Sequence, residues 1–202
     1  KGRMQILSEL TKLRQLCCDP ALVYENYEGG SAKLDLCIEL IQSAVESGHK
    51  ILLFSQFTSM IEILTARLQE ESISCFVLQG STKKEQRAQM VEQFNRDDTS
   101  VFCISLKAGG TGLNLTGADI VIHYDPWWNV AVENQATDRA HRIGQKNVVT
   151  VYKLIAKGTI EEKIIKLQQM KKELAEEILS GDEIKTASFQ REELLELLEE
   201  RF

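Results

Sequence analysis

Two arginines, Arg139 and Arg142, sit in the run QATDRAHRIGQ. Arginine keeps its charge at physiological pH and offers a planar fork of N–H donors that matches phosphate oxygens. Beside a polyphosphate, such groups stabilise the charge that builds up as a phosphoryl group transfers. Their spacing predicts that both guanidiniums share one helical face. Gln135, one turn earlier, would place an amide there to orient a phosphate oxygen or an attacking water. By spacing alone the simpler reading is a pair of surface arginines matched by Glu133 and Asp138, an arrangement that contributes little.

Upstream lies a glycine-rich loop, AGGTGLNLTG, preceded by Lys107. It is not a Walker A loop, because no Lys-Ser or Lys-Thr follows its glycines. Nor is it a dinucleotide fingerprint, since Leu115 stands where a third glycine is required after Gly110 and Gly112. What remains is a tight turn that lets the backbone approach a ligand closely. A purely structural turn explains the glycines as well. Trp127 and Trp128 follow Pro126, and neighbours in an extended segment cannot face the same way. One is expected in the core and the other turned outward. His123 reads as a satisfied strand residue, and no spacing suggests a metal cluster.

Elements that would position these groups are legible. ILLF after Lys50, Ser74–Leu78, VFCIS, DIVIHYD and the run Asn147–Ile155 read as five strands. A helical stripe precedes the first strand, at Leu34, Ile38, Ile41 and Val45, and two lie between strands, at Met60, Ile61, Leu64 and Leu68 and at Met90, Val91 and Phe94. Thr58, and Ser81 or Thr82, stand where helix caps are expected. Strands alternating with helices predict an α/β fold with a parallel sheet and helices on both faces. In such a sheet FSQF, LQGST, SLKAGG and DPWW all follow strand ends and gather on one edge, where ligands bind. A first helix over 1–19 ends at Pro20, and a longer one starts at Thr159 and stops at Gly181. An acidic helical tail covers Ser188–Phe202.

The 202 residues carry a net charge of −6, which by itself gives no support for a nucleic-acid partner. The excess acidity is local: residues 158–202 hold 12 acids against 7 bases, so the rest of the chain is near neutral. Any DNA contact must then be a patch. The five cysteines match no zinc or redox spacing and suit a reducing, intracellular compartment, with Cys75 and Cys103 as buried thiols. No apolar run approaches the length of a membrane span. The chain opens on Lys1, without methionine or a signal-peptide pattern, and reads as a fragment.

SLKAGGTGLNL, DPWWN and QATDRAHRIGQ together resemble helicase motifs five and six of the SWI/SNF-type ATPases of helicase superfamily two, which move along double-stranded DNA. The departures are small: Val130 follows DPWWN where proline is usual, and Gln79 precedes GST where an acid is common. The resemblance implies a RecA-like lobe of the P-loop-NTPase type over 31–157. It also implies a helical lobe-connecting segment and linker over 1–30, and a brace helix with an acidic tail over 158–202.

The chain holds no Walker A lysine and no DExH pair in context, so ATP and Mg2+ would be held mainly by a first lobe of the same polypeptide. Arg139, Arg142 and Gln135 would then be catalytic groups entering from this side, with Gly110, Gly112 and Asn114 near the nucleotide. Ser55, Gln56, Ser81, Thr82, Lys107 and Trp127 would face DNA. The resemblance further implies location in the cytoplasm or nucleoid of a bacterium, or in a nucleus. The residues alone also allow a non-catalytic α/β module that binds a small ligand at its strand ends.

Overall fold

The structure is a computed structural model that describes residues 2–106, 108 and 112–179. The expected tail and the expected stop at Gly181 lie outside the described residues, as do Lys107 and Gly110. Five strands form one sheet: β1 (Ile51–Ser55), β2 (Cys75–Leu78), β3 (Val101–Ser105), β4 (Ile120–His123) and β5 (Thr150–Lys153). Their order is β2-β3-β1-β4-β5, and every pairing is parallel. β1, β3 and β4 are buried along their whole length, as their unbroken apolar runs require of strands covered on both faces.

Side-chain alternation divides the core in two. Ile51, Leu53, Val101, Cys103, Ile120 and Ile122 face α2 (Ala32–Glu46) and α3 (Thr58–Glu70). Leu52, Phe54, Phe102, Ile104 and Val121 face α4 (Lys84–Arg96) and α5 (Val130–Thr137). This is the doubly covered α/β sheet that the sequence implied. β5 closes one edge and is exposed throughout.

Local chemistry sets several boundaries. Ser31 caps α2 by accepting from Leu34 N at 3.3 Å. Thr58 is not a cap but the first residue of α3, and neither Ser81 nor Thr82 caps α4. Thr82 Oγ1 accepts instead from Gln79 N at 3.1 Å, closing the turn ahead of the helix. α5 stops at Thr137, well short of Arg142. Beyond it the carbonyls that would continue the ladder are taken: Arg139 O accepts from Leu115 N at 2.9 Å, and Ala140 O from Gln145 Nε2 at 3.1 Å.

A third, smaller cluster joins α1 (Gly2–Cys18) to α6 (Ile160–Leu179) through Leu10, Ile160 and Ile164. A buried ion pair anchors α6 to the sheet. Lys33 Nζ lies 2.5 Å from Glu161 Oε2 and also donates to Tyr124 O and Leu154 O, at 3.1 and 3.2 Å. Removing one partner of such a pair costs about 3–5 kcal/mol, because the other charge is left buried. Chain spacing gave no sign of this pair, whose members are 128 residues apart.

Candidate nucleotide and nucleic-acid site at the carboxyl edge of the sheet

Because all five strands run one way, the segments after β1, β2, β3 and β4 meet at one edge. At its centre is Asp125, fully enclosed. Ser55 Oγ donates to its Oδ1 at 2.5 Å and Gln56 N to its Oδ2 at 3.2 Å. Burial pushes the Asp125 carboxyl above its ordinary range, while these two donors pull the other way. Gln56 Nε2 also reaches Pro126 O at 3.4 Å. Ser55 and Gln56, expected to face DNA, have their side chains turned inward in this structure. Both are buried, and their polar atoms hold the turn that begins at Asp125.

Arg14 of α1 completes this centre, and sequence reading missed it. Its Nη2 donates to Gln56 Oε1 and to Pro126 O. Its guanidinium carbon lies 5.0 Å from the Trp128 ring centroid, 5.3 Å from Trp127 and 5.7 Å from Phe57. Burial lowers the Arg14 pKa, and Asp125 opposes that shift. The two tryptophans do diverge as expected, but both are half-buried. Trp127 packs on the α4–α5 face of the core, and Trp128 on the α1–α6 cluster. Trp127 is further fixed by its backbone: its N–H donates to Glu133 Oε1 at 2.8 Å, and its carbonyl accepts from Gln168.

That contact also changes the picture of the arginines. Glu133 is buried, and its ion pair is with Lys153 at 2.9 Å, so it is no surface partner for Arg139 or Arg142. The two arginines do not share a helical face, since the helix has already ended. Arg139 is buried, its guanidinium carbon 5.4 Å from the Phe54 ring centroid. Burial, and then the like charge of Arg142, bring its pKa down to about 10, so it stays a cation at neutral pH. Arg142 is exposed in the following turn, and Gln135 is exposed on α5.

This turn is bound to the loop before β4. Leu115 N meets Arg139 O, and Gln145 Nε2 donates to Ala118 O at 2.7 Å and Thr116 O at 3.2 Å. On its other side that loop is held by Asn95, whose amide bonds Asn114 O at 2.8 Å and Gly117 N at 2.9 Å. A Cβ on Gly117 would stand 3.0 Å from Asn95 Cα, so this glycine is there for close approach. Gly112 has a φ of +108°, a conformation other residues rarely adopt. Gly112 and Asn114 are exposed.

A second clamp joins the turns after β2 and β3. Arg87 of α4 donates to Thr82 O and Ala108 O, both at 2.8 Å, and to Gly80 O and Gln79 O at 3.1 and 3.3 Å. Ser81 is exposed and Thr82 half-buried. Sequence gave no signal for Arg87 or Gln145, because their acceptors are main-chain carbonyls of any residue type. The exposed donors of this edge are hydroxyl, amide and cationic groups, which suit phosphate oxygens. Among the described residues no cluster of His, Cys, Asp or Glu could hold a metal ion. No described helix is long and apolar enough to cross a membrane.

Residues 32–144 match the family model described as helicase conserved C-terminal domain. Over 203 residues the chain is 45% identical to an uncharacterized ATP-dependent helicase of Mycoplasma pneumoniae, covering 98% of this chain and 19% of that protein. It is 43% identical to the human chromatin-remodeling ATPase INO80 over 83% of this chain and 11% of that one. The chain thus spans about a fifth or less of the length of the curated relatives it matches. Among solved structures, the C-terminal domain of a Sulfolobus solfataricus SWI2/SNF2 ATPase is similar, with TM-score 0.73 and 34% identity, covering 96% of this chain and 81% of that one. The ATPase core from the same organism in complex with dsDNA gives TM-score 0.72 and 38% identity, over 88% of this chain and 38% of that chain. With more than half of its length inside the family model, and a lobe-for-lobe match in the solved structure, the chain belongs to the helicase conserved C-terminal domain family, in its SWI/SNF type.

Proposed function

We propose that this chain is the second motor lobe of a DNA-stimulated ATPase that translocates on double-stranded DNA. The first lobe of the same polypeptide would supply the Walker A lysine and the acid pair that hold ATP and Mg2+. The observation that carries the proposal is the bonding of the 138–145 turn to the 113–118 loop, which fixes a buried arginine over Phe54, near the carboxyl end of β1, and an exposed one three residues on. Arg142 would reach the nucleotide when the lobes close, while Arg139 would support the turn and add positive potential from below. Gln135 is exposed and free to orient an oxygen from α5. Gly112 and Asn114 would border the nucleotide together with Gly110.

The DNA track would run over Ser81, Thr82 and Lys107, with Trp127 acting through the position of its loop. Lys83 stands at the N-cap of α4 without capping it through its side chain, so the first N–H groups of that helix add to the positive potential there. Such an ATPase would work inside the cell, where ATP and DNA are found. The test is ATP hydrolysis by the full-length protein with and without duplex DNA, alongside displacement of a third strand from a triplex. Stimulation by duplex and ATP-dependent displacement are expected. Turnover indifferent to DNA would remove the proposal.

A further inference from the structure

Gln168 stands on the apolar stripe of α6, four residues after Ile164 and eight after Ile160, where helical spacing calls for another aliphatic side chain. It is nonetheless only 6% exposed, while residues 169–172 after it are exposed or half-buried. A buried amide on such a stripe destabilises the fold unless it is bonded. Its Nε2 donates to Trp127 O and, at 3.1 Å, to Glu133 Oε1. The same Glu133 oxygen accepts from Trp127 N at 2.8 Å, and Glu133 Oε2 lies 2.9 Å from Lys153 Nζ of β5. One buried carboxylate thus ties together α6, the turn after β4, α5 and β5. α6 also holds the next residue of that turn, since Trp128 packs on the Leu10–Ile160–Ile164 cluster.

α5 is eight residues long and leads directly into the turn that carries Arg139 and Arg142. Glu133 anchors its first half. Thr137 anchors its end, with Oγ1 3.0 Å from His123 Nε2. Two turns of helix move as one piece, so a shift at Glu133 is passed on to the arginines. Resting on the reading of Arg142 as a group that enters the nucleotide site, we propose that Gln168 is a positioning residue for ATP hydrolysis. It locks α5 to α6 through Glu133 and Trp127, and so sets where Arg142 stands when the lobes close. Gln168 itself touches neither nucleotide nor DNA.

The experiment measures, in the full-length protein, kcat at saturating duplex DNA, KM for ATP and the DNA concentration that half-saturates turnover. The urea unfolding midpoint is recorded alongside. The variants are Gln168→Met, Gln168→Glu, Arg142→Ala and the double variant Gln168→Met with Arg142→Ala. Methionine matches glutamine in length and packs well on an apolar stripe, but it has no donor. Gln168→Glu keeps the shape and turns an acceptor toward Glu133 and the Trp127 carbonyl. Both should lower kcat about tenfold or more, because a misplacement of about 1 Å can cost about 10²-fold. KM for ATP and half-saturating DNA should change far less, the pattern of an interaction felt in the transition state. In the Arg142→Ala background, Gln168→Met should lower kcat no further, since residues that act as one unit are not additive.

Wild-type kcat in Gln168→Met would make Gln168 a packing residue and overturn the inference, while a low kcat in Arg142→Ala would leave the motor reading standing. A full additional loss in the double variant overturns it as well, because Gln168 would then act by a route other than Arg142. So does a loss spread equally over kcat, KM and half-saturating DNA with a lowered midpoint, the pattern of general damage. Should Gln168→Glu fail to fold, Gln168→Met and the double variant decide. If Arg142→Ala itself leaves kcat unchanged, the catalytic reading of the turn falls and this inference falls with it.

Discussion

The guanidinium of Arg14 and the indole of Trp128 are held together, with 5.0 Å between the carbon and the ring centroid. Arg14 belongs to the helix that precedes the sheet, and Trp128 to the turn that follows β4. The cation also faces Trp127 and bonds the Asp125–Pro126 turn through Gln56. A helix that looks like a simple packing element is thus part of the site, and its displacement would be felt at the start of α5.

Trp127 and Trp128 are the only two tryptophans in the sequence, so intrinsic emission reports on this contact alone. Arg14→Ala is expected to shift that emission to longer wavelength, as water enters between the rings. It should also destabilise the protein by about 3 kcal/mol, the cost of leaving a buried polar network without its cation. Emission spectra and urea unfolding test this. Unchanged emission with an unchanged midpoint would show that the aromatic cage holds without the arginine.

The sheet, its five strands and the two covering faces were legible because each strand is an apolar run and each helix carries a stripe. Gathering the loops at one edge needed only the parallel direction. Contacts between side chains and distant carbonyls were not legible. Arg14 is one of several polar residues in the first helix, and nothing in LRQL points to a carbonyl 112 residues away. The burial of Ser55 and Gln56 was not legible for a related reason. Polar residues at a strand end read as ligand contacts, but here a buried aspartate claims them. The shared face of Arg139 and Arg142 failed because tertiary hydrogen bonds to Leu115 and Gln145 draw the chain out of the helix.

His123 gives a pH prediction. It is buried, stacked on Phe54 at 5.5 Å, with Nε2 3.0 Å from Thr137 Oγ1. Burial lowers its pKa from 6.5 to about 4. Below pH 6.5 the unfolded chain therefore takes up a proton that the folded chain refuses. Stability contributed by neutral His123 is full above pH 6.5 and falls as pH drops toward 4, by up to about 3 kcal/mol. His123→Gln should flatten this part of the stability profile. Parallel urea titrations at pH 7 and pH 5 would show it, and equal slopes for both proteins would assign the acid sensitivity elsewhere.

Lys107 lies outside the described residues; in the sequence it follows β3 directly, and the proposed track includes it. A phosphate contact carries no sequence information. Lys107→Ala in the full-length protein is expected to weaken binding alike on unrelated duplexes and to lower the salt slope by about 1. An effect confined to one sequence would indicate a base contact instead.

Arg142 gives the sharpest test of the motor reading, because the structure separates it from Arg139. Arg139 is buried against Phe54, so Arg139→Ala would mix lost packing with lost function. Arg142 is exposed, and removing it should leave the melting temperature almost unchanged, since exposed ion pairs contribute about 0–1 kcal/mol. If it enters the nucleotide site only when two lobes close, its contribution appears in the transition state rather than in ATP binding. Arg142→Ala in the full-length protein should then lower DNA-stimulated kcat by about 10³-fold or more, with far less change in ATP affinity. Arg142→Lys should recover little, because an ammonium cannot reproduce the fork. Turnover within a few-fold of wild type, in a protein that still responds to DNA, would make Arg142 a surface residue and leave the charge of the transferring phosphoryl group to the first lobe.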